Sequence, residues 1–139
     1  MSEILQGVDI VDVSKIKGIM ERRPPFAGEV FSEEESRYCL SRRDPYVHFA
    51  GRFAAKEACL KALGTGLSAQ GIDSALGEIE ILPDRSGRPV LHLSGWTGKI
   101  CRRKGVDQLT VSISHSAGAA ISTVILVRRK REKPSPGKE

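Results

Sequence analysis

Two carboxylates stand where a folded chain rarely places charge. Glu57 falls in Phe53-Ala54-Ala55-Lys56-Glu57-Ala58-Cys59-Leu60-Lys61-Ala62-Leu63-Gly64-Thr65-Gly66, which reads as the end of a long helix. At helical spacing the apolar stripe of that helix is Tyr46, Phe49, Ala50, Phe53, Leu60 and Gly64. Glu57 lies in the middle of the stripe, so its carboxylate is expected to face the core, where an unpaired charge is costly. Asp9 interrupts Ile4-Leu5-Gln6-Gly7-Val8-Asp9-Ile10-Val11, which otherwise reads as a buried strand. Two such carboxylates require a cation. One reading is a divalent metal, since two carboxylates completed by water and phosphate oxygens are how Mg²⁺ is usually held. The other is a set of structural ion pairs with basic side chains.

The neighbours add weight to the metal. Lys61 is one helical turn beyond Glu57, which puts both head groups on one face. Arg52 and Lys56, also one turn apart, lie beside the stripe. Gly64-Thr65-Gly66 is an open turn whose backbone N–H groups can approach a phosphate. Together these residues make a candidate pyrophosphate site. His115 ends the apolar segment Val111-Ser112-Ile113-Ser114-His115. It is read as a positioning group beside the ligand or as a turn histidine without a role. A Ser/His hydrolase would need a nucleophile elbow and a third member, and neither is visible. His48 and His92 have no supporting context.

The elements that must position these groups can be read from punctuation and periodicity. A first strand covers Ile4 to Val11, and a helix follows from Val13 to Arg23, stopped by Pro24-Pro25. Ser32-Glu33-Glu34-Glu35 is a capping box opening a helix to about Ser41. Asp44-Pro45 starts the long helix, with Asp44 as its cap and Pro45 at its first position. Gly77 to Leu82 and Pro89 to Leu93 read as a hairpin, and Ser94 caps a short helix through Trp96 to Lys104, closed by Gly105. Strands over Gln108 to Ser114 and Ala119 to Val127 finish the pattern. The order predicts an α+β single domain, with a largely antiparallel sheet and a long central helix.

The chain has 139 residues, 40% hydrophobic and 28% charged, the profile of one soluble domain. No apolar run approaches the roughly 20 residues of a membrane helix. No secretory signal is evident, so cytoplasmic residence is expected. Cys39, Cys59 and Cys101 are widely spaced, which argues against a disulfide framework or a zinc site. Of the net charge of +5, the segment from Arg128 onward supplies six Lys or Arg and two Glu, hence +4. Residues 1–127 are read as the domain and 128–139 as a basic, disordered tail.

At this point the residues carry a resemblance. Gly7-Val8-Asp9-Ile10-Val11, then Arg52-Phe53-Ala54-Ala55-Lys56-Glu57-Ala58 with Lys61-Ala62-Leu63-Gly64-Thr65-Gly66, then Val111-Ser112-Ile113-Ser114-His115 occur in the order found in short bacterial 4′-phosphopantetheinyl transferases, the holo-[acyl-carrier-protein] synthases. The resemblance spans roughly residues 4 to 127. It implies an Mg²⁺-dependent transfer of phosphopantetheine from coenzyme A to a serine of apo acyl carrier protein, in fatty acid biosynthesis. It further implies Asp9 and Glu57 as metal ligands, Lys61 at the leaving phosphate, and Glu57 or a water it orients as general base. Arg52, His115 and Gly64-Thr65-Gly66 would hold coenzyme A, with Arg42 and Arg43 reaching its 3′-phosphate. The first helix, through Lys15, Lys17, Met20, Arg22 and Arg23 with Phe26 nearby, resembles the surface that docks the acidic carrier protein. Thr110 stands where several members have histidine. The single domain resembles the homotrimeric class, with sites between subunits and the strand-rich second half in the contact. The competing class, a nucleic-acid-binding module using the tail and first helix, is opposed by the near-neutral body and by aromatics at 5%.

Overall fold

The computed structural model describes residues 1–64 and 72–130. The elements are β1 (Ser2–Asp12), α1 (Val13–Arg22), α2 (Pro25–Val30), α3 (Glu33–Leu40), α4 (Pro45–Ala62), α5 (Ile72–Gly77), β2 (Ile79–Pro83), β3 (Pro89–Leu93), α6 (Gly95–Arg103), β4 (Val106–Ser116) and β5 (Ala119–Arg129). Strands β1, β5 and β4 form an antiparallel sheet in that spatial order, and β2 and β3 a separate hairpin. The class is the expected α+β, with α4 lying against β1 and β5.

Gly7 sets how closely β1 approaches α4. A Cβ built there would stand 2.0 Å from the Ala58 carbonyl oxygen and 2.7 Å from the Ala62 nitrogen. Only a residue without a side chain permits backbone to meet backbone in this way. The strand is not the uniformly buried one expected. Ile4, Val8 and Ile10 point outward, 68%, 50% and 65% exposed, while Leu5, Gly7, Asp9 and Val11 alternate onto the helix side. Helix covers one side of the sheet, so an apolar run here does not mean burial on both faces.

The stripe expected on α4 is also corrected. From Phe49 to Ala62 nearly every residue is buried, and the exceptions are Phe53, Glu57 and Lys61. Four-residue spacing puts those three on one strip, which opens outward. Glu57 therefore faces a cleft rather than the core. Lys56, expected beside the stripe, goes inward instead. It is fully buried, and its Nζ donates to Glu35 Oε1 at 2.8 Å, to Leu76 O at 3.0 Å and to Ile79 O. Glu35 completes the expected capping box with Ser32, and its Oε2 accepts from Ile81 N at 3.0 Å. One buried ion pair thus ties α3, α4, α5 and β2 together.

The remaining departures have local causes. Pro24-Pro25 ends α1 as expected, but Pro25 also opens α2, because proline's fixed φ suits a first helical turn. Gly77 ends α5 rather than starting a strand. Asp44 and Ser94 sit at N-cap positions without side-chain cap bonds; for α6 the Glu78 carboxylate accepts from Thr97 N instead, at 3.0 Å. Ala117 and Gly118, with φ of 50° and 80°, make the tight turn between β4 and β5. The tail boundary moves, since β5 runs on to Arg129 and Arg128 binds Glu3 Oε2 at 3.0 Å. Residues 131–139 of the assigned tail lie outside the described residues.

Candidate active site

The close seating of β1 on α4 brings Asp9, Glu57 and Lys61 together across about fifty residues of sequence. Lys61 Nζ lies 2.9 Å from Asp9 Oδ1 and 3.1 Å from Val8 O. The other carboxylate oxygen, Asp9 Oδ2, is buried and has no hydrogen-bond partner among the described residues. Glu57 is pushed up to about 8 by burial, then by hydrogen bonding to Asp9 and by its charge; Lys61 and Lys15 pull the other way. With Lys61 and Lys15 the only cations acting on it among the described residues, the Glu57 carboxyl still resists ionisation, so full ionisation of the pair calls for further positive charge. An orphaned oxygen facing a carboxyl that resists ionisation is the signature expected of a place for a cation. The donor set fits a hard dication. Among the described residues no group of three or more His, Cys, Asp or Glu could hold a metal, so two carboxylates would be completed by water and ligand oxygens.

Asp9 and Glu57 line a cleft of about 570 Å³ between the end of β1, α1 and α4. Ile19 and Phe53 form an apolar wall, while Asp12 and Lys15 stand at the polar side. Helix α1 buries Ile16 against the core and leaves Lys15, Lys17 and Arg22 exposed with Arg23 beyond its end, so the amphipathic and docking readings occupy different faces of it. Met20 is half-buried. Arg23 pairs with Glu29 at 3.1 Å, both exposed. Phe26 reaches inward, its ring centroid 6.0 Å from Phe53 and 6.2 Å from Phe31.

A second group lies toward the start of α4. Arg52 is 5% exposed, donates through Nε to Ile81 O at 3.2 Å, and lies 4.2 Å from the Tyr38 ring centroid. Arg42 approaches the same ring at 5.5 Å, and Arg43 is exposed next to it. His115, exposed on β4 opposite Ala120, lies near enough to His48 to act on its charge. His48 is thus part of a cluster that sequence reasoning missed. Its signal was three-dimensional, because Tyr38, Arg42 and His115 belong to other segments. Gly64, with φ of 78°, closes α4 as expected. Thr65 and Gly66 lie outside the described residues. Thr110 is exposed on β4, opposite Ile125.

The sequence and fold have known relatives. The family model for the 4′-phosphopantetheinyl transferase superfamily matches residues 6–124. The holo-[acyl-carrier-protein] synthase of Caldanaerobacter subterraneus is 38% identical over 125 residues, covering 90% of this chain and 95% of that protein. That of Syntrophus aciditrophicus is 42% identical over 121 residues, with 86% and 92% covered. Among solved structures, apo-ACPS of Chronobacterium ammoniagenes superposes with a TM-score of 0.82 at 33% identity, covering 94% of this chain and 100% of that one. The ACPS–CoA complex of the same organism gives 0.80 at 32% identity, covering 92% and 99%. The chain therefore belongs to the 4′-phosphopantetheinyl transferase superfamily, among its holo-[acyl-carrier-protein] synthases.

Proposed function

We propose that this enzyme transfers the 4′-phosphopantetheine group of coenzyme A to a serine hydroxyl of apo acyl carrier protein and releases adenosine 3′,5′-bisphosphate. The observation that carries the reading is the Asp9–Glu57 pair beside Lys61, with Asp9 Oδ2 unpartnered among the described residues. In the transfer, the serine oxygen bonds to the phosphorus bearing pantetheine, and that phosphorus releases its bridging oxygen to the nucleotide. Glu57 accepts the serine proton, directly or through a water it holds. Lys61, 46% exposed, reaches the leaving phosphate and neutralises its new charge. We assign Mg²⁺ to Asp9 and Glu57; when bound it stabilises the charge that builds on the pyrophosphate. Arg52, Arg43, His115 and the Gly64-Thr65-Gly66 turn are assigned to coenzyme A. Lys15, Met20, Arg22, Arg23 and Phe26 are assigned to the carrier protein, whose acidic surface suits a basic helix with an apolar centre. Modification of carrier protein for fatty acid synthesis, in the cytoplasm, is the setting this chemistry serves.

We assign a homotrimer with sites between subunits. Its support is the uncovered sheet face, where Ile4, Val8, Ile10 and Ile121 are 68%, 50%, 65% and 39% exposed. An apolar face of this kind marks an interface. It draws on β1 as well as the second half of the chain. Light scattering tests it: three chains per particle are expected, and an active monomer would refute it. The reaction is tested by following adenosine 3′,5′-bisphosphate, which should appear one-for-one with modified carrier protein. Release that continues when the acceptor serine is replaced by alanine would mean a hydrolase.

A further inference from the structure

Basic side chains gather in a cleft at the end of the sheet where β1 begins and β5 finishes. The cleft measures about 360 Å³. Arg102, Arg103 and Lys104 reach it from the end of α6, and Arg128, Arg129 and Lys130 from the end of β5. The backbone that carries the second set is fastened on both sides. Lys130 N donates to Met1 O at 2.9 Å, and Arg129 N to Gly105 O at 3.3 Å. Gly105, with φ of 74°, turns the chain from α6 into β4, and a Cβ there would stand 3.3 Å from Arg129 O. Two carboxylates offset part of the charge. Glu3 Oε2 accepts from Arg128 Nε at 3.2 Å and from its Nη2 at 3.0 Å, and lies 3.9 Å from Lys130 Nζ. Asp107 Oδ2 lies 3.5 Å from Arg129 Nε. Arg102, Arg103 and Lys104 have no ion pair among the described residues. Six cations against Glu3 and Asp107 leave an excess of four positive charges. Cations gathered from separate elements repel one another unless an anion joins them.

This cleft is separate from the transfer site. Arg129 pairs with Ser2, and Asp9 lies seven residues further along β1, about 23 Å at 3.3 Å per residue. None of the residues assigned to coenzyme A or to the carrier protein lines it. We propose that the cleft binds a small ligand bearing two or more linked phosphates. A single phosphate carries close to two negative charges near neutral pH, about half of the excess, and each linked phosphate adds about one to two more. Arginine forks match phosphate oxygens two at a time. The volume falls at the lower end of small-molecule pockets, roughly 300–1,000 Å³, and a concave site of that size suits a compact ligand better than a bilayer surface. Trp96, the exposed aromatic of α6, stands at the other end of that helix and does not line the cleft. The charge is thus accompanied neither by an interfacial anchor nor by a stacking platform. The proposal does not depend on the reaction assigned to the other site.

The probe is inorganic tripolyphosphate, titrated by calorimetry into the intact, metal-free protein at fixed ionic strength. One-to-one binding is expected, with orthophosphate weaker by about tenfold or more. Arg103→Gln with Lys104→Gln removes two cations from the α6 side, and Arg129→Gln takes one from the β5 side. Each variant should weaken tripolyphosphate binding by about tenfold or more, the usual worth of one hydrogen bond between charged groups. Arg43→Gln, in the other basic group, should bind it as the parent does. Unchanged affinity in the cleft variants, an equal loss in Arg43→Gln, or orthophosphate binding as tight as tripolyphosphate would overturn the proposal. Sedimentation with phosphatidylglycerol–phosphatidylcholine vesicles separates a lipid surface from a small ligand. No vesicle binding through the cleft is expected; vesicle binding that the cleft variants abolish and tripolyphosphate does not displace would overturn the small-ligand assignment. Only binding is read, so the outcome is independent of whether the chain transfers phosphopantetheine.

Discussion

Replacing Lys56 with methionine separates the roles of two adjacent residues in the helix. Lys56 is fully buried and its Nζ has three acceptors: Glu35 Oε1, Leu76 O and Ile79 O. Methionine matches its shape and removes all three bonds. Glu35, also fully buried, would keep its contacts with Ser32 N and Ile81 N but lose its only counter-charge among the described residues. Breaking a buried ion pair from one side costs about 3–5 kcal/mol. That is a large share of the roughly 5–15 kcal/mol that holds a domain folded, and for a chain of this size it corresponds to a fall in Tm of about 10–20 °C. Adding Glu35→Gln removes the stranded charge and should recover part of the loss, so the double variant should cost less than the sum of the singles. Urea unfolding measures all four proteins, with the midpoint moving and the slope unchanged. Below its own transition, Lys56→Met should keep kcat within about threefold, because Lys56 points away from the strip that holds Glu57. A variant as stable as the parent would refute the energetic argument. A stable, folded variant with a collapse in kcat would place Lys56 in the site.

Glu57→Gln should lower kcat by about 10²–10⁴-fold, as loss of an acid–base or electrostatic group does. In metal-free protein the folded pKa of Glu57, about 8, lies above its ordinary 4.5, so its favourable contribution is present below pH 4.5 and is lost as pH rises through 8. In chelator the wild-type Tm should therefore fall across that window, the fall should be smaller in Glu57→Gln, and equal falls in the two proteins would contradict the assignment. Gly7→Ala should push β1 off α4, costing about 1–3 kcal/mol or more and weakening Mg²⁺ binding by calorimetry; a folded variant with unchanged metal affinity would show that Gly7 does not position Asp9. Reversing Lys15 and Arg22 to Glu should raise KM for carrier protein and leave that for coenzyme A nearly unchanged, and the wild-type KM should rise with salt because surface attraction is screened over about 10 Å at 0.1 M. A KM indifferent to both changes would move the docking face elsewhere.

The parts of the fold that could be read from sequence were those with local causes. The capping box at Ser32, the proline opening α4, the turn before β5 and the antiparallel class all follow from nearby residues. Asp9 stood out because it interrupts an apolar run, and Lys61 because it lies one turn beyond Glu57; Glu57 was singled out on a stripe that the structure corrects, since it faces the cleft and not the core. What could not be read depended on which surfaces meet. Lys56 and Glu57 are neighbours in sequence, and nothing local tells which one goes inward; the answer lies in Glu35, twenty-one residues away. Glu35 itself was read only as a cap, since capping residues are normally exposed. The two-faced β1 looked buried because an apolar run does not state whether helix or another chain covers it. His48 had no pattern of its own and acquires a context from Tyr38, Arg42 and His115.

Mass spectrometry of apo acyl carrier protein, incubated with this enzyme and coenzyme A, tests the central claim most directly. With Mg²⁺ the carrier protein should gain the mass of one phosphopantetheine group. With excess chelator, or with Asp9→Asn or Glu57→Gln in place of the parent, the gain should disappear or slow by orders of magnitude. Full modification in chelator by the parent enzyme would contradict the role given to the two carboxylates.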